Sequence, residues 1–349
     1  MTFLYRTSQT RWTPTVLPYG TLRLRVSSTL ADRRHLRVFA DRNSEPNYSA
    51  KAEEAFAILS RRKSKSWNRF RDLVQLSVAE TLSGLQRNPN PNSSGADLRT
   101  FTDIGCDHGL LPASLVLSGR FDKVLGVDCS LQALQDGAFQ LNETIAGYFR
   151  IRQSTTETDV VSDVPPLEFR HGNGLKVVRP GEADVLCLSG MGVNTMIKIL
   201  SATNSESDHS PPTRLLDACQ CRRLILQPTN IRPRNLILLY HALHDLGWVV
   251  EQERIAHLSS KWYFSIAFRH KSKAFNESVK LPGYQLADHL LMTRDRTNHQ
   301  YRDILDYLEH HCAWLRQDRD TSSGLRGGEE EWLGTFEKVL TDMKSLESR

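Results

Sequence analysis

The segment with the clearest chemical character spans residues 101–112 and contains Asp-Ile-Gly-Cys-Asp-His-Gly at positions 103–109. An apolar approach that ends in an acid, then a glycine-containing turn and an apolar run with Pro112 near its start, predicts a strand, a tight turn and a helix. Gly105 and Gly109 allow the backbone to come close to a ligand. The segment therefore predicts a ligand-binding loop, and a plain strand-to-helix turn is the alternative.

The acids of this loop indicate the class of ligand. The dinucleotide fingerprint G-x-G-x-x-G is absent, and Asp103 and Asp107 would repel a pyrophosphate. An acid before the first glycine instead suits a ligand that carries an ammonium and a sulfonium group. The loop therefore predicts S-adenosylmethionine as the cofactor, bound by Asp103, Gly105, Cys106, Asp107 and Gly109.

Polar or small residues also follow the later strands. Asp128 ends the second predicted strand, where a carboxylate can accept hydrogen bonds from two ribose hydroxyls; a helix cap or turn acid is the alternative. The glycine-flanked Asn173 follows the third strand, where an amide can meet the adenine edge of the cofactor, unless it only forms a turn. Gly190 and Met191 follow the fourth strand, where amino-methylating enzymes of this fold carry Asn/Asp-Pro-Pro-aromatic. Small residues there favour attack by a ring nitrogen.

Alternating strands and helices between residues 67 and 270 would bring these groups together. After the strand that approaches Asp103, apolar segments predict strands at Lys123–Asp128, Leu167–Arg170, Ala183–Leu188, Leu224–Leu226, Trp248–Ile255 and Lys261–Phe268. This order predicts an α/β fold, a Rossmann-like and mostly parallel sheet with helices on both faces and a terminal antiparallel pair. Ligands of such sheets lie at the carboxyl ends of the strands, which is where these loops fall.

The C-terminal part, residues 276–349, has a different pattern. Apolar residues spaced by four and three positions run from Tyr301 to Leu315 and from Trp332 to Leu346, with a glycine-rich loop between the two runs. Two heptad-spaced helices predict an antiparallel α-helical hairpin, a short coiled coil. This part carries ten basic and fourteen acidic residues, a net charge of −4. We therefore expect this hairpin to serve in packing or self-association; the positioning of RNA is the alternative, and it is not favoured over the first.

Residues 1–45 have the composition of an organellar transit peptide. Residues 1–42 contain eight arginines against two aspartates, a surplus of +6, and no apolar run of the secretory type. We expect import into mitochondria or, in a photosynthetic host, a plastid; a basic tail is the alternative. A basic linker with a helix follows at 46–66. Because the whole chain carries +5, the residues after Arg42 carry 5 − 6 = −1, so the overall charge does not indicate RNA binding.

Cysteine spacing and hydropathy argue against two other classes of site. The six cysteines include no C-x-x-C pair, and the C-x-C at 219–221 has no second pair nearby. We therefore expect reduced thiols and no metal. No apolar run of the sequence reaches the ~18 residues that a membrane span needs, so no membrane partner is expected.

An RNA-binding surface would have to be a local basic patch. The candidates are basic residues before the sheet and around the fifth strand: Arg61, Arg62, Lys63, Lys65, Arg69, Arg71, Arg222, Arg223, Arg232 and Arg234. We expect these residues to form one rim beside the cofactor pocket, where they would bind phosphates while the pocket takes the base.

Four motifs together resemble one enzyme family. They are Asp-Ile-Gly-Cys-Asp-His-Gly-x-Leu-Pro (103–112), Gly-Asn-Gly-Leu-Lys-Val-Val (172–178), Ser-Gly-Met-Gly (189–192) and Leu-Ile-Leu-Gln-Pro-Thr-Asn (224–230). In this order they resemble the bacterial tRNA (adenine-N1)-methyltransferase family that acts on position 22 of tRNA. The resemblance covers Trp67 to Phe268, and the helical hairpin resembles that family's coiled-coil appendage. The chain departs from the family at Val193, where a glycine is expected, and at Leu110, where an aromatic residue is usual.

The resemblance implies a class I S-adenosylmethionine-dependent methyltransferase that modifies N1 of an adenine in tRNA. Attack by N1 makes a cationic adenine that later loses an amino proton, so a nearby carboxylate could stabilise the cation and accept the proton. Asp107 is the first candidate, with His108 orienting it or touching the RNA, and with Asp103 holding the methionine ammonium. The alternatives are a non-catalytic RNA-binding or assembly factor that kept the fold, and a methyltransferase that acts on protein or a small molecule.

Overall fold

The computed structural model describes residues 47–60, 65–79, 99–153, 167–204, 213–271, 282–284, 286–287, 299–320 and 329–347. All of them belong to one compact unit, Glu45–Arg349. The predicted transit peptide, the basic residues 61–64 and two polar segments, residues 154–166 and 205–212, lie outside the described residues.

Seven strands form one sheet in the order β3-β2-β1-β4-β7-β9-β8. Their bounds are β1 Thr100–Ile104, β2 Lys123–Asp128, β3 Leu167–His171, β4 Val185–Met191, β7 Arg223–Pro228, β8 Trp248–Leu258 and β9 Lys261–His270. Neighbours from β3 to β7 pair in parallel, whereas β9 is antiparallel to both β7 and β8. The predicted α/β sheet with its terminal hairpin is confirmed. A separate antiparallel pair is formed by β5 Thr203–Asn204 and β6 Thr213–Arg214.

Helices precede, separate and follow the strands of this sheet along the chain. They are α1 Tyr48–Ser60, α2 Lys65–Val78, α3 Leu110–Ser118, α4 Leu131–Ala133, α5 Phe139–Gln153, α6 Val193–Leu200, α7 Leu215–Ala218, α8 Pro233–Asp245, α9 His299–Arg319 and α10 Glu329–Glu347. A π-helical turn, Leu134–Ala138, joins α4 to α5. Helix α1 confirms the helix predicted before the basic linker, and it is part of the domain because Phe56 is fully buried.

Hydrophobic cores lie on both faces of the sheet, because successive strand residues point to opposite sides. Phe101 of β1 belongs to the core under α1, α2 and α3, whereas Ile104 belongs to the core under α6, α8, α9 and α10. In β4, Val185 and Cys187 face the first core and Leu186 and Leu188 the second. Burial on both sides explains why these strands read as continuous apolar runs.

The two C-terminal helices run antiparallel, as predicted, but they are not a free-standing appendage. Tyr301 Oη donates a hydrogen bond to the Met343 carbonyl at 2.5 Å, and Arg316 pairs with Glu337 at 2.7 Å. A second face of α9 packs on the domain: Tyr307 is fully buried, and its ring centroid lies 5.1 Å from that of Phe264 in β9. The heptad pattern revealed only the seam between the helices. Within the described residues, no helix combines the length and the apolar character of a membrane span.

Candidate active site

The turn after β1 has the backbone geometry that its glycines predicted. The φ angles of Gly105, Asp107 and Gly109 are +78°, +51° and +74°, a region that glycine tolerates best. Gly109 also has a packing reason, since a Cβ atom there would lie 2.5 Å from the ring of Phe169. The loop is thus a tight turn that brings backbone and side chains to the carboxyl edge of the sheet.

Asp103, near the end of β1, is the most unusual group at this edge. Its side chain is 2% exposed, and burial raises the pKa of Asp103 to about 7, with the carboxylate of Asp128 adding to the effect. The Cys187 thiol hydrogen-bonds to the carboxyl group, but its Oδ1 atom has no hydrogen-bond partner. A buried acceptor without a donor is costly unless a ligand supplies one. The ammonium group of S-adenosylmethionine is such a donor, so this residue fits the predicted cofactor.

Asp128, at the end of β2, ties two loops together. Its Oδ2 atom accepts a hydrogen bond from the Asp107 amide at 2.8 Å, and Oδ1 accepts one from the Ser130 amide at 2.7 Å. The helix cap itself is Ser130, whose hydroxyl accepts a bond from the amide of Ala133. Each carboxylate oxygen retains a second lone pair. Asp128 therefore holds the Asp107 loop in place, and its predicted contact with ribose hydroxyls stays a prediction.

Asp107 and His108, the predicted catalytic pair, lie together on the surface of this loop. Asp107 Oδ1 and His108 Nδ1 are 2.8 Å apart, and the two side chains are 75% and 57% exposed. His108 packs closely against Gly137: a Cβ atom added at Gly137 would lie 2.8 Å from the Cβ atom of His108. The arrangement leaves the Asp107 carboxylate open to a substrate and oriented by the imidazole.

Of the other predicted cofactor residues, Met191 and Asn173 lie at the carboxyl edge, whereas the side chain of Cys106 points away from it. Met191 lies over the turn, since a Cβ atom at Gly105 would be 2.3 Å from its Cε atom. Asn173 is exposed just after β3. The side chain of Cys106 packs in a small core with Leu134, Ala138 and Phe169. Only the backbone of Cys106 borders the site, because the tight turn directs its thiol inward.

Strand β4 continues through the motif that was predicted to follow it. It extends to Met191 with an irregular register between Ser189 and Met191, and Gly190 adopts a φ angle of +73°. The Met191 carbonyl accepts a hydrogen bond from the Thr229 amide at 2.9 Å. The motifs after β4 and β7 are thereby joined side by side at the carboxyl edge.

The predicted rim of arginines is wrong for Arg222 and Arg223. Both lie at the amino end of β7, the edge opposite the cofactor loop. Arg223 is fully buried, with its Nε atom 2.8 Å from Glu251 Oε2 and its Nη1 atom donating to the Ala79 carbonyl. A side chain so enclosed holds the fold together and cannot grip phosphates.

Arg232 and Arg234 do lie beyond the carboxyl end of β7. Arg232 is exposed, and its guanidinium lies 5.6 Å from the ring centroid of Trp314. Arg234 pairs with the buried carboxylate of Glu329 at 2.6 Å, which fixes α8 to α10. Of these two, Arg232 has the more available charge.

Helix α2 carries the remaining two arginines, Arg69 and Arg71, and their surroundings differ. Arg71 is 44% exposed and lies 3.9 Å from Glu53. Arg69 is half-buried, and its Nε atom is buried without a hydrogen-bond partner. The Arg69 carbonyl accepts a hydrogen bond from Gln227 Nε2 at 3.0 Å, and the same nitrogen donates to Ser265 Oγ. Sequence reasoning missed Gln227, although a polar residue that ends an apolar strand is a usable signal.

Nothing in the described residues forms a group of three or more His, Cys, Asp or Glu side chains that could hold a metal ion. Carboxylates, tight backbone turns and the half-buried Arg69 form the site, a set suited to a cationic or zwitterionic ligand.

Comparison with known proteins agrees with this reading of the fold. A family model described as a methyltransferase domain matches residues 95–266. The tRNA (adenine(22)-N(1))-methyltransferase of Bacillus subtilis (strain 168) is 27% identical over 150 residues, which is 43% of this chain and 47% of that protein. The match thus spans about half the length of that curated relative.

Solved structures give a weaker likeness. The B. subtilis m1A22 tRNA methyltransferase TrmK is 18% identical, with 72% of this chain and 92% of that chain covered at a TM-score of 0.43. The M. capricolum TrmK complex with S-adenosyl-homocysteine is 14% identical, with 71% and 90% covered at a TM-score of 0.42. Neither score reaches 0.5, so the fold assignment rests on the sheet order and the family match. The sheet is Rossmann-like, and residues 95–266 match a methyltransferase domain.

Proposed function

We propose that this protein is an S-adenosylmethionine-dependent methyltransferase that modifies N1 of an adenine in tRNA, with position 22 as the expected target. The observation that carries the cofactor assignment is the buried, unpartnered Oδ1 atom of Asp103 at the turn after β1. The similarity to the B. subtilis tRNA methyltransferase supports the choice of substrate.

The residues of the carboxyl edge have separate tasks in this reaction. S-adenosylmethionine, when bound, supplies an electrophilic methyl group on its sulfonium. Asp103 would accept a hydrogen bond from the ammonium group, and Asp128 would accept hydrogen bonds from the ribose hydroxyls. Positioning of this kind is the main source of acceleration for an in-line displacement, of order 7–11 kcal/mol in well-aligned systems.

Asp107 acts on the substrate adenine. Methyl transfer to N1 places a positive charge on the base, and the exposed carboxylate of Asp107 can stabilise that charge and then accept a proton from the exocyclic amino group. His108 orients the carboxylate through the 2.8 Å contact with Asp107 Oδ1. Gly190 carries no side chain beside this position, which leaves room for a flat base that has left its stack.

Arg232 and Arg71 remain candidates for contacts with RNA phosphates. Both are exposed, and Arg232 follows the carboxyl end of β7. Phosphate contacts of this kind would orient tRNA without reading its sequence.

We also propose that residues 1–45 direct import into mitochondria, because of their eight arginines and scarcity of acids. These residues, fused to a fluorescent reporter, should carry it into mitochondria or, in a photosynthetic host, into a plastid. A reporter that stays in the cytosol would contradict the proposal.

The enzymatic proposal is tested by offering labelled S-adenosylmethionine together with unmodified tRNA or a protein extract. We expect label in tRNA, and a reverse-transcription stop at one adenine that disappears when this adenine is replaced by guanine. Cofactor binding without transfer would favour a non-catalytic RNA-binding factor. Label in the protein extract alone would favour a protein methyltransferase.

A further inference from the structure

Two buried polar atoms of opposite charge lack partners at the same edge of the sheet. They are Asp103 Oδ1 on β1 and Arg69 Nε on α2. Arg69 is close enough for its positive charge to lower the pKa of Asp103, against the larger effect of burial. The two groups therefore attract each other, yet neither atom is satisfied by a hydrogen bond.

The position of Arg69 is fixed by the sheet. Gln227, 2% exposed at the end of β7, donates one hydrogen bond to the Arg69 carbonyl and another to the fully buried Ser265 of β9. Asp103 lies two strands away, since β4 separates β1 from β7. Asp103, Cys187 and Gln227 all lie on the face that α2 covers, so Arg69 and Asp103 face one region from two sides.

A ligand that satisfies both atoms must carry both charges. Burial of an unpaired ionic group is unfavourable, and an opposite charge from a ligand removes the penalty on each side. An α-amino acid group has an ammonium and a carboxylate on one carbon. The pair Arg69 and Asp103 is complementary to such a zwitterion, and this chemistry is present in the methionine moiety of S-adenosylmethionine.

We propose that Arg69 binds the α-carboxylate of the methionine moiety while Asp103 binds its ammonium group. This inference rests on the proposed function, because it presumes that the site takes S-adenosylmethionine. It also reassigns Arg69, which the sequence placed among the phosphate-binding arginines. Its neighbour Arg71 faces solvent and keeps that prediction.

The test compares two ligands that differ only in the carboxylate. S-adenosylmethionine and decarboxylated S-adenosylmethionine are titrated calorimetrically into the full chain and into the Arg69→Met variant. The wild type should bind the decarboxylated ligand roughly 10- to 100-fold more weakly, the range for one lost charge-assisted contact. In Arg69→Met, S-adenosylmethionine should weaken to a similar extent, and the two ligands should bind within about threefold of each other.

The matched control is Arg99→Met. Arg99 precedes the same strand as Asp103 but lies at its other end, where its side chain is 68% exposed. This variant should keep the wild-type preference between the ligands. A thermal unfolding curve establishes that each variant is folded.

The outcomes separate the inference from the proposed function. If the wild type binds both ligands and Arg69→Met weakens both equally, Arg69 does not bind the carboxylate, although the cofactor assignment stands. If Arg69→Met keeps the wild-type preference, the inference is also wrong. If the folded wild type binds neither ligand, the proposed function itself fails.

Discussion

Two buried carboxyl groups near opposite edges of the sheet have opposite properties. Glu182, at the amino edge before β4, is 7% exposed and hydrogen-bonds to both Arg170 and Lys123. The Arg170 guanidinium lowers the pKa of Glu182 to about 2. Asp103, near the carboxyl edge, is 2% exposed, and burial raises the pKa of Asp103 to about 7.

The difference between these groups separates structural charge from functional charge. At the amino edge, Lys123, Glu168, Arg170 and Glu182 neutralise one another within the protein. At the carboxyl edge, the buried acceptor of Asp103 awaits a donor from outside. Burial alone therefore does not identify a candidate functional acid; a buried carboxyl group with an oxygen that lacks a hydrogen-bond partner is the better signal.

The largest expected effect is on the chemical step at the carboxyl edge. Asp107→Asn should slow single-turnover methylation of tRNA by roughly 10²–10⁴, because the base that accepts the amino proton is lost. Its affinity for S-adenosylmethionine should stay within a few-fold of wild type. The matched control is Asp122→Asn, an exposed acid at the amino edge, which should turn over normally. Loss of cofactor affinity in Asp107→Asn would make Asp107 a cofactor ligand instead.

The next largest effect is on stability at the amino edge. Arg223→Met should lower the free energy of unfolding by about 3–5 kcal/mol, since it leaves the buried carboxylate of Glu251 without a cation. Arg99→Met should change it by less than about 0.5 kcal/mol, as is usual for surface positions. Denaturant titration measures both variants. An Arg223→Met protein of normal stability but weakened tRNA binding would restore Arg223 to the RNA surface.

An isosteric pair of substitutions tests the comparison itself. Glu182→Gln should destabilise the fold by about 2–3 kcal/mol while cofactor affinity is kept, because it removes a paired buried charge. Asp103→Asn should keep the fold and weaken S-adenosylmethionine binding by roughly 10- to 100-fold. Denaturant titration measures the stability of both variants, and calorimetry measures their affinity for S-adenosylmethionine. If both variants lose stability and neither loses affinity for S-adenosylmethionine, the two edges do not differ in function.

The smallest effect is a dependence on pH. Because burial raises the pKa of Asp103 to about 7, cofactor affinity should fall below pH 7, by at most about tenfold per pH unit. The raised pKa also means that Asp103 favours the folded state at acidic pH and that this contribution is lost as pH rises through 7. Asp72 is raised to a pKa of about 7 as well, so Asp103→Asn is the required comparison. If the cofactor affinity of Asp103→Asn keeps the pH dependence of the wild type, a group other than Asp103 is titrating.

Local sequence patterns predict the parts of this site that follow from local physics. The apolar runs predict β1, β2 and β4 because these strands are buried, and Gly105 and Gly109 predict a turn with positive φ angles. Grouping Arg222 and Arg223 with Arg232 failed because β7 separates them by its six residues, about 20 Å of strand. Contacts such as Arg223 with Glu251 or Arg69 with Gln227 join distant parts of the chain, and no local pattern shows them.

We propose above that the carboxyl edge delivers a methyl group to N1 of an adenine in tRNA. The most direct measurement is a single turnover with labelled S-adenosylmethionine and unmodified tRNA, followed by digestion to nucleosides and chromatography. We expect label in 1-methyladenosine and a strong reduction of this label in Asp107→Asn. Label in N6-methyladenosine, or no label in tRNA from a protein that binds the cofactor, would contradict it.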